Sequence, residues 1–147
     1  GEEPGLTSIG RRDLLDLVAS YNITDNLSVV LNVDVAKQED AIAVGTDAKW
    51  SGLAAYVNWK FAGQWRVAGR VEQFNDKNGY RTGVLTGLGG QTWSEATVTL
   101  AYMPTASTEI RLEGRYDKSD VATAFNKTDG TTDDNQHSVA VQGIYKF

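Results

Sequence analysis

Few residues in this chain have the chemistry to act as nucleophiles, bases or metal ligands. His137 is the only histidine and no cysteine is present, so thiol catalysis, Cys-ligated zinc and iron–sulfur sites are excluded. His137 stands beside Ser138 in an alternating stretch. Neighbours on a strand point to opposite faces, so these two do not form a nucleophile–base pair. Asp129, Asp133, Asp134 and Asn135 cluster in a polar stretch and offer the oxygen atoms that Ca²⁺ takes. Their spacing is not that of an EF-hand loop, and a solvated acidic loop accounts for them. Gly87, Gly89 and Gly90 lack the following helix and the Lys-Ser/Thr pair of a phosphate-binding loop. The expectation is no catalytic residue, no metal site and no cofactor.

What remains is charge laid out at strand spacing. Glu109, Arg111, Glu113, Arg115 and Asp117 recur at every second position, which puts them on one face of an extended strand. The chain as a whole is acidic, with 14 Lys+Arg against 19 Asp+Glu in 147 residues and a net charge of −5. No run in it is strongly basic, so a nucleic-acid partner is not expected. No stretch approaches the about 18–20 apolar residues of a membrane-spanning helix. No targeting segment is visible from Gly1, so a mature product or a fragment is expected.

The elements that must position these charges are strands. Period-two alternation bounded by turn residues predicts seven of them: Leu14–Ile23, Leu27–Val35, Ser51–Phe61, a fourth from Trp65 through Glu72, Thr92–Tyr102, a sixth around Ile110–Asp117, and His137–Phe147. No segment has a helical period. The connections alternate in length: short turns at Thr24–Asn26, Ala62–Gln64 and Met103–Ser107, then long polar stretches at Ala36–Trp50, Gln73–Gln91 and Lys118–Gln136. An all-β, antiparallel, up-and-down transmembrane β-barrel has this pattern, here with about seven to eight strands.

One face of the alternation is apolar, with Ser51 its one clearly polar member. The other collects Asp16, Asp34, Lys60, Arg66, Arg70, Glu72, Glu95, Glu109, Arg111, Glu113, Arg115, Asp117 and Lys146. A soluble β-sandwich with its charges in water would alternate in the same way. The aromatics separate the two readings. Tyr21, Trp59, Phe61, Trp65, Tyr102, Tyr145 and Phe147 fall on the apolar face at the ends beside the short turns or the C-terminus, with Tyr116 alone at the far end. Amphipathic rings settle at a membrane interface and form such girdles, whereas a sandwich core has no reason to sort its aromatics toward one end. These residues are therefore expected at the lipid interface. The alternating run Val139, Val141, Gly143, Tyr145 and terminal Phe147 resembles the last strand by which bacterial outer-membrane proteins are recognised for insertion.

The stretches Asp13–Tyr21 (DLLDLVASY), Asn26–Ser28, Trp50–Tyr56 (WSGLAAY), Arg70–Asp76 (RVEQFND), Arg111–Ser119 (RLEGRYDKS) and Tyr145–Phe147 (YKF) together resemble the OmpL-like β-barrel porin family of Gram-negative bacteria. The resemblance implies an outer-membrane porin or porin-like barrel and supplies no catalytic residues. Family members are longer, so the chain is expected to match their C-terminal part within one barrel domain or barrel segment over 1–147. Strand parity points the same way: it makes Gly1–Gly10 an external loop. An eighth strand would have to lie in Gly1–Gly10 or Tyr80–Gln91, or else further strands are absent from this chain.

The expected function is passive diffusion of small hydrophilic solutes or ions through a lumen lined by Lys60, Arg66, Arg70, Glu72, Glu95, Glu109, Arg111, Glu113, Arg115 and Asp117, whose mixed signs would set a transverse field. The alternative is a non-conducting structural or surface-binding barrel that acts through its long loops; a soluble β-sandwich binding module is the third class. Expected partners are outer-membrane lipid, the barrel-assembly machinery through the C-terminal strand, and further strands or copies of the chain. No enzyme activity is expected.

Overall fold

A computed structural model describes residues Gly10–Gly83 and Gly89–Phe147. Every element in it is a strand: β1 (Arg12–Thr24), β2 (Leu27–Ala43), β3 (Thr46–Ala62), β4 (Trp65–Asp76), β5 (Gln91–Thr105), β6 (Thr108–Ser119), β7 (Phe125–Asn126), β8 (Thr132–Asp133) and β9 (Asn135–Tyr145). Consecutive strands pair antiparallel in one sheet of order β1-β2-β3-β4-β5-β6-β9, with β7 and β8 forming a separate small hairpin. The all-β, up-and-down architecture expected from the alternation is present. Among the described residues the sheet is not closed, and β1 and β9 each keep an edge with no neighbouring strand.

The largest departure from expectation is in the first long connection. Ala36–Trp50 is not a loop: β2 and β3 are each 17 residues long and run on to a tight turn at Val44–Gly45, where Gly45 takes a φ of 79°. The alternation fades there because both faces turn polar, with Lys37 and Lys49 opposite one another on one side and Gln38 on the other. The hairpin bends at Asp40, a non-glycine residue with φ of 52°. The register slips between Gln38 and Ala43, five steps along β2 against two along β3. The Asp40 carboxylate steadies the bend by accepting the Gly45 backbone N–H at 2.6 Å.

The proposed external loop Gly1–Gly10 lies outside the described residues except for Gly10, as do Gly87 and the middle of Tyr80–Gln91. The described parts of Tyr80–Gln91 contain no strand before Gln91. Lys118–Gln136 is shorter as a loop than expected, because it carries β7 and β8 and because β6 and β9 extend into it.

Burial runs opposite to that of a water-soluble domain. Among the described residues the buried apolar side chains are four alanines, Ala36, Ala48, Ala54 and Ala101, whereas Gln38, Asp76, Gln91, Glu95, Glu109, Asp117 and Ser119 are all buried. Large apolar side chains lie outside: Leu15, Leu17, Val139 and Val141 are 63–75% exposed. Leaving each such side chain in water forgoes about 1.5–3 kcal/mol. The 25 exposed large hydrophobics among the described residues would together exceed the roughly 5–15 kcal/mol by which a domain is stable. All of them but Leu14, Val18, Ile42 and Val44 share one phase of the alternation. The sheet curls around its polar face and turns its apolar face outward.

Candidate functional site

The register places every charged residue singled out in the sequence on that inner, polar face and sorts them into rungs. Arg66, Ala101, Arg111 and Gln142 are direct partners across β4, β5, β6 and β9, with Lys60 of β3 opposite Arg66. Two residues further along each strand the rung is Asn58, Ala68, Thr99 and Glu113. The next is Tyr56, Arg70, Thr97 and Arg115, followed by Ala54, Glu72, Glu95 and Asp117. Like charges therefore share a rung, and the sign alternates along the strands. The sequence shows alternation within a strand, but only the pairing decides which residue stands opposite.

Like charges opposite one another in a sheet repel, and the ion pairs relieve this by running along and diagonally. Arg111 donates to Glu109 at 2.8 Å on its own strand, and Arg115 to Asp117 at 2.7 Å. Arg70 lies 3.1 Å from Glu72 and also pairs with Glu95 on the next strand. Arg66 reaches across β5 to Glu109 at 2.6 Å. The fully buried methyl of Ala101 leaves the space for that crossing. Hydroxyls and amides complete the surface: Thr99 donates to Glu113 at 2.9 Å, Thr97 donates to Glu95, and the Gln136 amide donates to Asp117 at 3.2 Å. Asp16 and Asp34 face each other across β1 and β2, with the Asn32 amide donating to Asp16 at 2.6 Å.

At the end of the polar face beside the long connections lies a group of residues that the sequence reading did not assign. Asp76, at the end of β4, is fully buried, and its carboxylate accepts the backbone N–H groups of Tyr80, Arg81 and Thr82 at 3.1, 2.6 and 2.8 Å, and the Thr82 hydroxyl at 3.0 Å. This folds Lys77–Gly83 back against β3, where Tyr80 stacks on Trp50 with centroids 6.2 Å apart. Arg12 and Arg81 sit over the Trp50 ring at 5.9 and 5.3 Å. Trp50 is in phase with Gly52, Tyr56 and Asn58, and that phase was the available signal that it faces the charges.

On the outer face the aromatics Tyr21, Trp59, Phe61, Trp65, Tyr102 and Tyr145 gather at the short-turn end, in phase with terminal Phe147. Trp59 and Phe61 lie 5.3 Å apart, and Trp65 and Tyr102, direct partners, 4.6 Å apart. The apolar band is oblique. The row Leu17, Val33, Leu53, Gln73, Ser94, Lys118 and Asn135 crosses the whole sheet, apolar on its first three strands and polar on the rest. On β1 apolar residues continue past Leu17 to Leu15, while on β9 they begin only at Val139. That slide of about six residues over six strand spacings, at ~3.3 Å per residue and ~4.8 Å per strand, tilts the strands by roughly 35° from the normal of the band, the tilt of barrel strands from the barrel axis.

An up-and-down sheet with a charged interior, an apolar exterior and this tilt is a β-barrel wall of the porin type. The chain belongs to the family described as Putative beta-barrel porin-2, OmpL-like, whose model matches residues 2–147. No curated protein and no solved structure matches it.

Proposed function

We propose that the chain forms part of an outer-membrane porin wall that lets small hydrophilic solutes and ions diffuse past the polar rungs. The observation that carries this reading is the inverted burial: Glu95, Glu109 and Asp117 inside, Leu15, Val139 and Val141 outside. A hydrocarbon environment supplies the cover that water cannot, and the aromatic girdle at one end matches a membrane interface. Lys60, Arg66, Arg70, Glu72, Glu95, Glu109, Arg111, Glu113, Arg115 and Asp117 then line the passage. The protein works by passage rather than by catalysis and carries no cofactor.

Its partners follow from the surfaces. Lipid covers the apolar face, and β9, with Val139, Val141 and Tyr145 turned outward, is the element offered to the barrel-assembly machinery. The unpaired edges of β1 and β9 require pairing with further strands, of the same polypeptide or of neighbouring copies, because an open edge in lipid leaves its backbone groups without partners. About eight strands enclose only side chains, whereas roughly 16–18 enclose water. Conduction through this wall therefore depends on those additional strands.

A second reading is favoured by one observation: Arg66, Arg70, Arg111 and Arg115 are all engaged in ion pairs, as they would be in a salt-bridged plug filling a narrow, non-conducting barrel. Planar-bilayer recording of the protein extracted from its native membrane separates the two. Stepwise conductance supports the porin, and insertion without conductance supports the plug.

A further inference from the structure

On the polar face, where the acidic rung meets the aromatic end, a cavity of about 290 Å³ opens over β4, β5 and β6. Its walls include Phe74 and Trp93, direct partners on β4 and β5, and the charged groups Arg70, Glu72, Arg115 and Asp117. Two donors carried by these wall residues are buried with no acceptor among the described residues, Trp93 Nε1 and Arg70 Nε. A buried donor left unpaired costs about 1–3 kcal/mol, and such groups in a cleft mark a place where something else accepts. The volume is at the lower edge of that of small-ligand sites, sufficient for one small ring.

We infer that this cavity is a solute subsite for hydroxyl-rich, uncharged rings, of which a hexopyranose is the type. This rests on the porin reading and names the solute class that the passage would favour. The Phe74–Trp93 pair gives an apolar platform for the C–H face of such a ring. Around it, donors and acceptors are interleaved: Arg70 bridges Glu72 and Glu95, and Arg115 holds Asp117 at 2.7 Å. A hydroxyl both donates and accepts, so it can bond a carboxylate and a guanidinium in the same wall. An anion finds the two arginines already tied to carboxylates and Glu72, Glu95 and Asp117 outnumbering them. A cation gains nothing from the two unpaired donors.

The test is equilibrium binding of D-glucose and of maltose to the detergent-solubilised whole protein, read by calorimetry, with inorganic phosphate as comparator and bilayer recording in parallel. Saturable sugar binding is expected, weakened about fivefold by Trp93→Phe, which keeps the ring and removes the donor, and at least tenfold by Trp93→Ala. Sugar binding equal in wild type and Trp93→Ala, or none in wild type, overturns the subsite. Phosphate binding in place of sugar overturns the solute class. Sugar binding that persists in a barrel giving no conductance supports the subsite and defeats the porin reading instead.

Discussion

Arg66 on β4 and Glu109 on β6 meet at 2.6 Å across the strand between them, because the residue beneath the bridge is Ala101. Glu109 also takes Arg111 from its own strand at 2.8 Å, so one buried carboxylate pairs with two guanidinium groups. Glu109→Gln should leave both arginines without a carboxylate. The expected outcome is a loss of about 2 kcal/mol in urea unfolding from vesicles together with a shift of reversal potential toward anions. Arg111→Ala should move selectivity the other way, and so should Arg115→Ala, which frees Asp117. Unchanged selectivity in all three variants would remove these residues from the passage.

The outward face can be tested at a single strand. Val141 is 75% exposed on the apolar side and Gln142 faces the polar side. Val141→Asp is expected to impair membrane assembly, at a cost of up to about 2 kcal/mol near mid-depth. Gln142→Asp, one residue away, is expected to assemble normally. Folding yield into vesicles, read by heat-modifiable migration on gels, distinguishes them. Normal insertion of Val141→Asp would reverse the assignment of faces.

Asp76 holds the turn after β4 with a carboxylate that accepts three backbone N–H groups and a hydroxyl. Asp76→Ala should release Tyr80 from Trp50 and cost about 1–3 kcal/mol for the donors left unpaired. Amide exchange at Tyr80, Arg81 and Thr82 is expected to accelerate at least tenfold, with the central strands unaffected.

The β7–β8 hairpin carries a pH dependence of its own. Asp133 is held below the usual aspartate value of 3.8 chiefly by its bond with Lys127, and Asp129 chiefly by the Thr131 hydroxyl at 2.6 Å. A carboxylate lowered by folding contributes order above its unfolded pKa and loses it as pH falls through the folded value. Exchange protection at Lys127, whose N–H bonds the Thr131 carbonyl at 2.8 Å, should be level from about pH 7 to 5 and fall below about pH 4. Lys127→Met should flatten the part of that profile due to Asp133.

How much the sequence discloses depends on where along a strand one looks. Within the apolar band, as at Ile110–Tyr116 or Val139–Tyr145, alternation is steep because one face meets an apolar medium and the other carries charge. Strands and faces are legible there. Beyond the band, at Lys37–Asp40 and Thr46–Lys49, both faces are polar, the period vanishes, and the outer parts of two 17-residue strands read as loop. The charged rungs were legible residue by residue, but their sign order was not. Whether Glu95 stands opposite Glu72 or Arg70 is a matter of register, and a slip of two residues exchanges the two. The roles of Trp93 and Asp76 are not legible in the sequence, because Phe74 and the turn at Tyr80–Thr82 meet them only through pairing and the return of the chain.

The central claim is that the polar face meets water in a membrane-inserted wall while the next residue on the same strand meets lipid. The chain has no cysteine, so single cysteines can be placed on a clean background at Thr99, on the polar face, and Leu100, on the apolar face. A charged, membrane-impermeant thiol reagent is then applied during single-channel recording of the whole protein. Thr99→Cys is expected to react and reduce the current in steps, while Leu100→Cys stays unreactive. Reaction at Leu100→Cys with none at Thr99→Cys, or equal reaction at both, would contradict the account.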